Sequence, residues 1–263
     1  MMTKFIFAAM LAAPLFAGAA IRPPDSSLTG LDIEVKQDKM QSGFIGESRS
    51  MTLVLGNAQG EESIRKVTYE AFEGLTAKRD KTLLSFTHPA DLKGTRLLTH
   101  EQGDGDDDQW LFLPSIKRVK RIASSNQSGS FVGSEFSYED LVVRQIDKYV
   151  PRYLGDEEVD GKDCYVIERI PKSKSSGYSK VIRWRMKSNL QELKSDYYDR
   201  KGDLLKQRKM EGHTLYEGYW RVKKITVKNV QTNKYSTLLF EDVKVKVKLP
   251  ESKFSVQELT ATE

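Results

Sequence analysis

The chain has 263 residues, 38% of them hydrophobic and 30% charged, with a formal net charge of +5. Eleven Phe, eleven Tyr and three Trp exclude disorder and predict a globular body with a densely charged surface. The single cysteine, Cys164, excludes an internal disulfide.

The chain opens with a secretory pattern. Met1 to Lys4 form a basic start, Phe5 to Phe16 are almost wholly apolar, and Ala17-Gly18-Ala19 offers small residues for cleavage. The apolar run of about a dozen residues falls short of the roughly 20 that a membrane-spanning helix needs. Residues 1–19 are therefore read as a cleaved signal peptide, and residues 20–263 as an exported, soluble body, one large β domain or two small ones. A bacterial periplasm is the expected compartment. Export argues against nucleic acid as the partner of the basic charge, leaving anionic lipid headgroups or an acidic membrane surface.

Arg22-Pro23-Pro24 is a stiff leader. Asp25 to Gln41 reads as a weak helix with Leu28, Leu31, Val35 and Met40 on one side, ended by Gly43. Strands are expected at Ser48–Leu55 and Ser63–Phe72 around the turn-forming run from Gly56 to Gly60, then at Lys81–Phe86, Thr95–Glu101, Gln109–Leu113 and Lys117–Ile122. Ala123 to Gly133 is a polar loop. Ser137 and Asp140 have capping-box spacing, and Tyr138, Leu141, Val142, Gln145, Ile146 and Tyr149 recur at helical intervals up to Pro151. That predicts a short amphipathic helix.

From Asp163 onward strand follows strand. Lys180 to Lys187 alternates, with Ile182, Trp184 and Met186 opposed to Arg183, Arg185 and Lys187. Cys164, among Tyr165, Val166 and Ile167, reads as an inert core thiol. The last strand, Lys244 to Lys248, sets Lys against Val and so discourages edge association. About eleven strands at spacings near ten residues, with two short helical segments, predict one large antiparallel sheet, curled or nearly closed.

Catalytic constellations are scarce. His88, His100 and His213 stand in separate segments without metal-ligand spacing, and no nucleophile elbow, phosphate loop or dinucleotide fingerprint occurs. The acidic run Gly103 to Asp108 fails as a calcium loop, because counting from Asp104 puts Gln109 sixth and Ser115 twelfth. It reads as a solvated turn. No metal, cofactor or catalytic activity is expected. Lys117-Arg118-Val119-Lys120-Arg121 is either the outward charge of a strand or a contact for lipid phosphates or a transporter's acidic face. A strongly curved sheet with few helices to cover it leaves a hollow, and aromatic and aliphatic linings would suit acyl chains.

Three stretches carry a resemblance. They are Asp108-Gln109-Trp110-Leu111-Phe112-Leu113-Pro114, then Lys117 to Ile122, then Gly129-Ser130-Phe131-Val132-Gly133-Ser134-Glu135-Phe136-Ser137-Tyr138-Glu139-Asp140-Leu141. The tail from Phe240 to Val243 and from Leu249 to Ser255 adds to it. The sequence resembles the outer-membrane lipoprotein-sorting protein family of the LolA-like superfamily, in the longer branch found beside exporters of the resistance-nodulation-division type. The resemblance implies a half-open antiparallel β-barrel with a helical lid over an apolar cavity, working in the periplasm as one domain over 20–263. It implies a carrier for the acyl chains of a lipid or lipoprotein, in peripheral contact with membranes and monomeric. Trp110, Phe112, Phe136, Tyr138, Leu141, Trp184 and Met186 are the cavity candidates. Lys117, Arg118, Lys120 and Arg121 are the headgroup or partner contacts, with an inner-membrane exporter as a candidate partner. An accessory or docking subunit of such an exporter is the alternative. Where the family has an arginine before a proline to latch the lid, this chain has His88-Pro89, and a neutral His cannot make the same donor contacts.

Overall fold

The computed structural model describes residues 21–24, 27–74, 80–103, 105–142 and 146–260. The signal peptide expected over 1–19 and Asp25, where the first helix was expected to begin, lie outside them. The described chain forms one α-helix, α1 (Gly30–Gln41), and fifteen strands. These are β1 (Gly46–Gly56), β2 (Glu62–Phe72), β3 (Lys81–His88), β4 (Arg96–His100), β5 (Asp108–Leu113), β6 (Arg118–Ile122), β7 (Tyr149–Val159) and β8 (Lys162–Pro171). Then come β9 (Tyr178–Met186), β10 (Glu192–Asp199), β11 (Leu204–Glu211), β12 (Thr214–Tyr216), β13 (Tyr219–Arg221), β14 (Lys224–Asn229) and β15 (Tyr235–Val245).

Thirteen strands make one antiparallel sheet in the order β6-β5-β4-β3-β2-β1-β15-β14-β11-β10-β9-β8-β7, while β12 and β13 pair as a separate hairpin. Among the strands beyond the expected eleven or so are β7, which begins in the segment read as a helix up to Pro151, and the two short strands of the hairpin. β6 and β7 are the two edges and do not pair, so the sheet curls but stays open. This is a mainly β, half-open architecture.

The segment between the two edges crosses the inner face of the sheet. Instead of the expected amphipathic helix it forms two 3-10 turns, Tyr138–Leu141 and Ile146–Lys148. The capping box of Ser137 and Asp140 is present. The helix does not continue, because Tyr149 and Tyr153 are drawn into pairing with β8. Pro151 is tolerated inside β7 because an edge strand has one side that needs no donor. Phe131 and Phe136 of the crossing segment are buried against Phe86, Leu97 and Leu238 on the inner face.

The outer face has its own cover. Leu83, Leu98, Trp110 and Phe112 lie under the C-terminal segment, with Phe254 and Leu259 packed on them. At the other end Cys164, Val166, Ile182, Trp184 and Met186 cluster with Leu193. Burial pushes the Cys164 thiol up to about 11, in keeping with a packing role.

α1 departs from its sequence pattern in an informative way. A capping box of Thr29 and Asp32 starts it at Gly30. Leu31 and Val35 are 50% and 40% exposed, while Glu34 is 4% exposed. The buried stripe is Gly30, Ile33, Glu34 and Asp38. The helix turns a partly charged face to the sheet because the strands beneath present arginines. Gly30 lies so close to β7 that an added Cβ would stand 2.8 Å from the Tyr153 backbone nitrogen. Helix propensity favours Ala over Gly by about 1 kcal/mol. Gly30→Ala is nevertheless expected to destabilise the protein by about 1 to 3 kcal/mol, through the backbone overlap. Urea unfolding measures it, and a stabilised variant would show that α1 does not press on β7.

Candidate functional site

Between α1, the crossing segment and the inner face lies a cavity of about 330 Å³. Its walls differ in kind. Met51 of β1, Tyr69 of β2, Leu84 of β3, Ile225 of β14, and Leu238 and Phe240 of β15 make an apolar side, with Phe44 and Leu141 added from the connections. Arg169 of β8, Arg183 and Arg185 of β9 and Arg208 of β11 make a charged side, and Glu47 and Arg49 of β1, Asp38 of α1 and Arg221 of β13 bring further charges to the lining. Alternation along each strand puts these residues on one face and Ile182, Trp184 and Met186 on the other.

Both faces of these alternating strands are covered: Arg169 is 1%, Arg183 7% and Arg185 4% exposed. They are buried because α1 covers this end of the sheet and brings its own carboxylate. Glu34 accepts from Arg185 through Nη2 at 2.8 Å and Nε at 3.3 Å. Its carboxylate also stands 3.7 Å from Arg183 and 3.9 Å from Arg169. Glu192 of β10 pairs with Arg183 at 2.7 Å and Arg208 at 2.6 Å. Arg169 sits over the Tyr149 ring, 3.9 Å from its centroid. Burial by itself would raise both carboxyl pKa values, but the surrounding guanidinium groups outweigh it. Glu34 ends well below the usual carboxylate range, and Glu192 at about 2.

Two further ties fasten the covers. Arg221 of β13 donates to Glu47 at 2.6 Å and to Gln41, at the end of α1, at 2.8 Å. Asp140 in the crossing segment is paired with Lys206 at 2.6 Å and accepts from the Tyr178 hydroxyl at 2.8 Å. On the apolar side Arg49 lies 4.2 Å from the centroids of both the Tyr69 and Phe240 rings.

The residues singled out in the sequence divide between the faces. Leu141 lines the cavity, and Phe136 and Tyr138 belong to the inner-face core beside it. Trp110, Phe112, Trp184 and Met186 lie on the outer face, away from the cavity, because strand alternation turns them there. Lys117, Arg118, Lys120 and Arg121 are exposed at the unpaired edge β6, with Arg121 paired to Asp108. His88 is exposed at the end of β3. The other two histidines contact backbone carbonyls, His100 that of Phe254 at 2.6 Å and His213 that of Glu192 at 2.8 Å. The acidic turn is less solvated than expected: Asp107 is buried and paired with Lys148 at 2.8 Å. Glu34, Glu192, Arg169 and Arg208 went unnoticed in the sequence, and Arg183 and Arg185 were noted only for their alternation. The available signal was arginine rather than lysine at alternate positions of an apolar strand, which suits buried ion pairing.

The depressed carboxyl groups set a pH dependence. Their stabilisation is complete above the unfolded value of 4.5 and is lost as pH falls towards about 2, where Glu192 takes up its proton. Glu192→Gln is expected to cost about 3 to 5 kcal/mol at neutral pH, by leaving Arg183 and Arg208 without their partner. Its stability should also fall less steeply below pH 4.5 than that of the unaltered protein. Denaturant melts across that range provide the check, and an unchanged acid slope would remove Glu192 as the source.

The family described as "Uncharacterized protein" matches residues 78–261. No curated protein matches the chain. Among solved structures, a domain from Vibrio parahaemolyticus assigned as an outer membrane lipoprotein-sorting protein is 39% identical. The match covers 88% of this chain and 98% of that one, with a TM-score of 0.86. A DUF1329 family protein from Desulfovibrio piger is 28% identical over 90% of this chain and 100% of that one, with a TM-score of 0.84. A LolA superfamily protein from Nitrosomonas europaea shares the fold, with 22% identity, coverage of 88% and 99%, and a TM-score of 0.70. By its match to the Vibrio domain, the chain belongs to the family of outer-membrane lipoprotein-sorting proteins, on a half-open fold that it shares with the LolA superfamily protein.

Proposed function

We propose that this protein is a non-enzymatic periplasmic carrier, exported by residues 1–19, whose body over 20–263 works as one unit. It takes acyl chains of a lipid or lipoprotein into the cavity and passes them between envelope components. The observation that carries this reading is the apolar wall of Met51, Leu84, Ile225, Leu238 and Phe240, enclosed by covers that belong to the same chain. Each methylene buried there contributes roughly 0.8 kcal/mol, so a long chain supplies ample gross affinity without any catalytic group. A cavity of about 330 Å³ lies at the lower end of ligand pockets, and uptake of a full chain requires α1 or the crossing segment to move outward. A membrane or partner that prefers the open form drives that movement. Phe136, Tyr138 and Leu141 are the proposed contacts on the cover side.

A second reading makes the protein an accessory subunit that docks on an inner-membrane exporter. It is favoured by the exposed basic strand Lys117 to Arg121, whose backbone edge is unpaired. In either reading the protein acts as a monomer in peripheral contact with membranes.

Ile225→Arg puts a charge at a half-buried position on the apolar wall. It is expected to weaken binding of a fluorescent fatty acid by at least about tenfold, the loss of one or two methylene contacts and more. Trp110→Leu, on the outer face, should leave binding within about twofold, since it touches no cavity wall. Fluorescence titration checks both, and equal effects would move the binding surface away from the cavity. Mass spectrometry of protein purified gently from its native host should recover bound lipid. Replacing Lys117, Arg118, Lys120 and Arg121 with Glu is expected to abolish co-purification with the exporter while leaving fatty-acid binding unchanged. Retained co-purification would exclude the docking reading.

A further inference from the structure

The two edges of the open sheet are finished differently. β7 is closed to a further strand by its own chain. Arg22 donates its backbone N–H to the Asp156 carbonyl at 2.7 Å and accepts from the Asp156 N–H at 3.0 Å, an antiparallel bridge on the free side of β7. The approach is close: a Cβ at Gly155 would stand 1.9 Å from the Arg22 carbonyl oxygen. The Arg22 guanidinium is paired with Asp163. The register against β8 shifts between Tyr153 and Gly155, and Pro151 has no N–H to offer. β6 has none of these devices. Arg118 to Ile122 pair with β5 without a shift and contain no proline, and among the described residues no segment bonds to their free side.

What guards β6 is charge. Residues opposite each other share a face, so Arg118 and Lys120 stand beside Leu113 and Leu111 towards the inner face, and Val119 and Arg121 beside Phe112 and Trp110 on the outer face. Arg121 is held by Asp108, whereas Lys117, Arg118 and Lys120 are exposed, with no ion-pair partner among the described residues. A second copy of β6 would set like charges against them, which is destabilising. The charges thus block self-pairing and favour a strand of opposite sign. Resting on the docking reading above, we propose that β6 is a β-augmentation site for an extended acidic segment of the partner, whose backbone continues the sheet. The alternation of β6 prescribes the pattern of that segment. Acidic side chains at every second position meet Arg118 and Lys120, and apolar ones between them lie beside Val119. A lipid surface would use the charges and leave the free backbone side of β6 in water, whereas an added strand uses both.

The probe is a capped peptide of alternating Glu and Val, as long as β6, added to the unaltered full chain and followed by NMR of the backbone amides. The signals of Arg118 to Ile122 are expected to move and their hydrogen exchange to slow. Two N-methylated versions separate backbone from charge, because alternation turns one set of peptide N–H groups to β6 and the other to solvent. Methylating the first set should weaken binding at least about tenfold, and methylating the second should leave it within about twofold. Equal affinity of all three peptides would overturn strand addition, while the docking reading would still stand on its co-purification test. A peptide of alternating Lys and Val should not bind, and Arg118→Glu with Lys120→Glu, both at exposed positions, should reverse that preference. If that double variant fails to fold, the peptides on the unaltered protein still decide. No binding of the acidic peptide would overturn the proposal. So would its displacement by phosphatidylglycerol vesicles without slowed exchange in β6, which gives the basic strand to a lipid surface. A dimer that protects the same amides without peptide would give the edge to a second copy and overturn it too. Peptide binding as expected, with exporter co-purification surviving the charge reversal, would remove the exporter and keep the edge site.

Discussion

The carboxylate of Glu34 holds this architecture together at its most exacting point. Three arginines on two neighbouring strands face inward, and none could remain there dry without a counter-charge. α1 supplies one from above, and Glu192 supplies another to Arg183 from within the sheet. The helix is therefore placed by electrostatics as much as by apolar contact: Ile33 packs against Tyr153, Ile167 and Leu190, while Leu31 and Val35 are left facing out. A buried ion pair of this sort adds little to net stability compared with a well-packed apolar core, but losing either partner is costly. It specifies one position for the helix.

The open sheet follows from the chain's route. β1 and β15 pair, joining a meander from the first half to one from the second, and the two remaining edges are left apart. The segment between those edges has to cross the open side. Phe131 and Phe136 anchor it in the inner core, and the contacts of Asp140 with Lys206 and Tyr178 fix its far end. The two covers are thus held differently, one by a hydrophobic plug and a salt bridge, the other largely by ions. That difference gives the cavity its two-sided chemistry.

The outer face explains why so many aromatic residues are unrelated to the cavity. Trp110 and Phe112 support the C-terminal segment, where Phe254 is fully buried, and Trp184 donates through its indole nitrogen to Glu157 at 2.8 Å. A sheet covered on both sides needs apolar residues in both directions. Aromatic content therefore measures the number of covered faces, and does not by itself measure a ligand site.

The sequence by itself determined the strands and turns over most of the chain, since alternation and turn-forming residues such as Gly56 to Gly60 act over a few neighbours. It also specified the capping box at Ser137, a local hydrogen-bonding pattern, whereas the first helix, read from Asp25, starts only at the capping box of Thr29 and Asp32. The stretches around Trp110, Phe131 and Tyr138 carried the family. The tertiary structure decided everything that depends on which face is covered. Ile182 and Arg183 alternate identically whether the arginine meets water or Glu34, 149 positions away in the chain. Tyr138 to Tyr149 has helical spacing, but pairing of Tyr149 and Tyr153 with β8 offers more hydrogen bonds than a short isolated helix could keep. The choice between inward and outward is made by long-range partners, and that is why the charged half of the cavity became visible only in the folded chain.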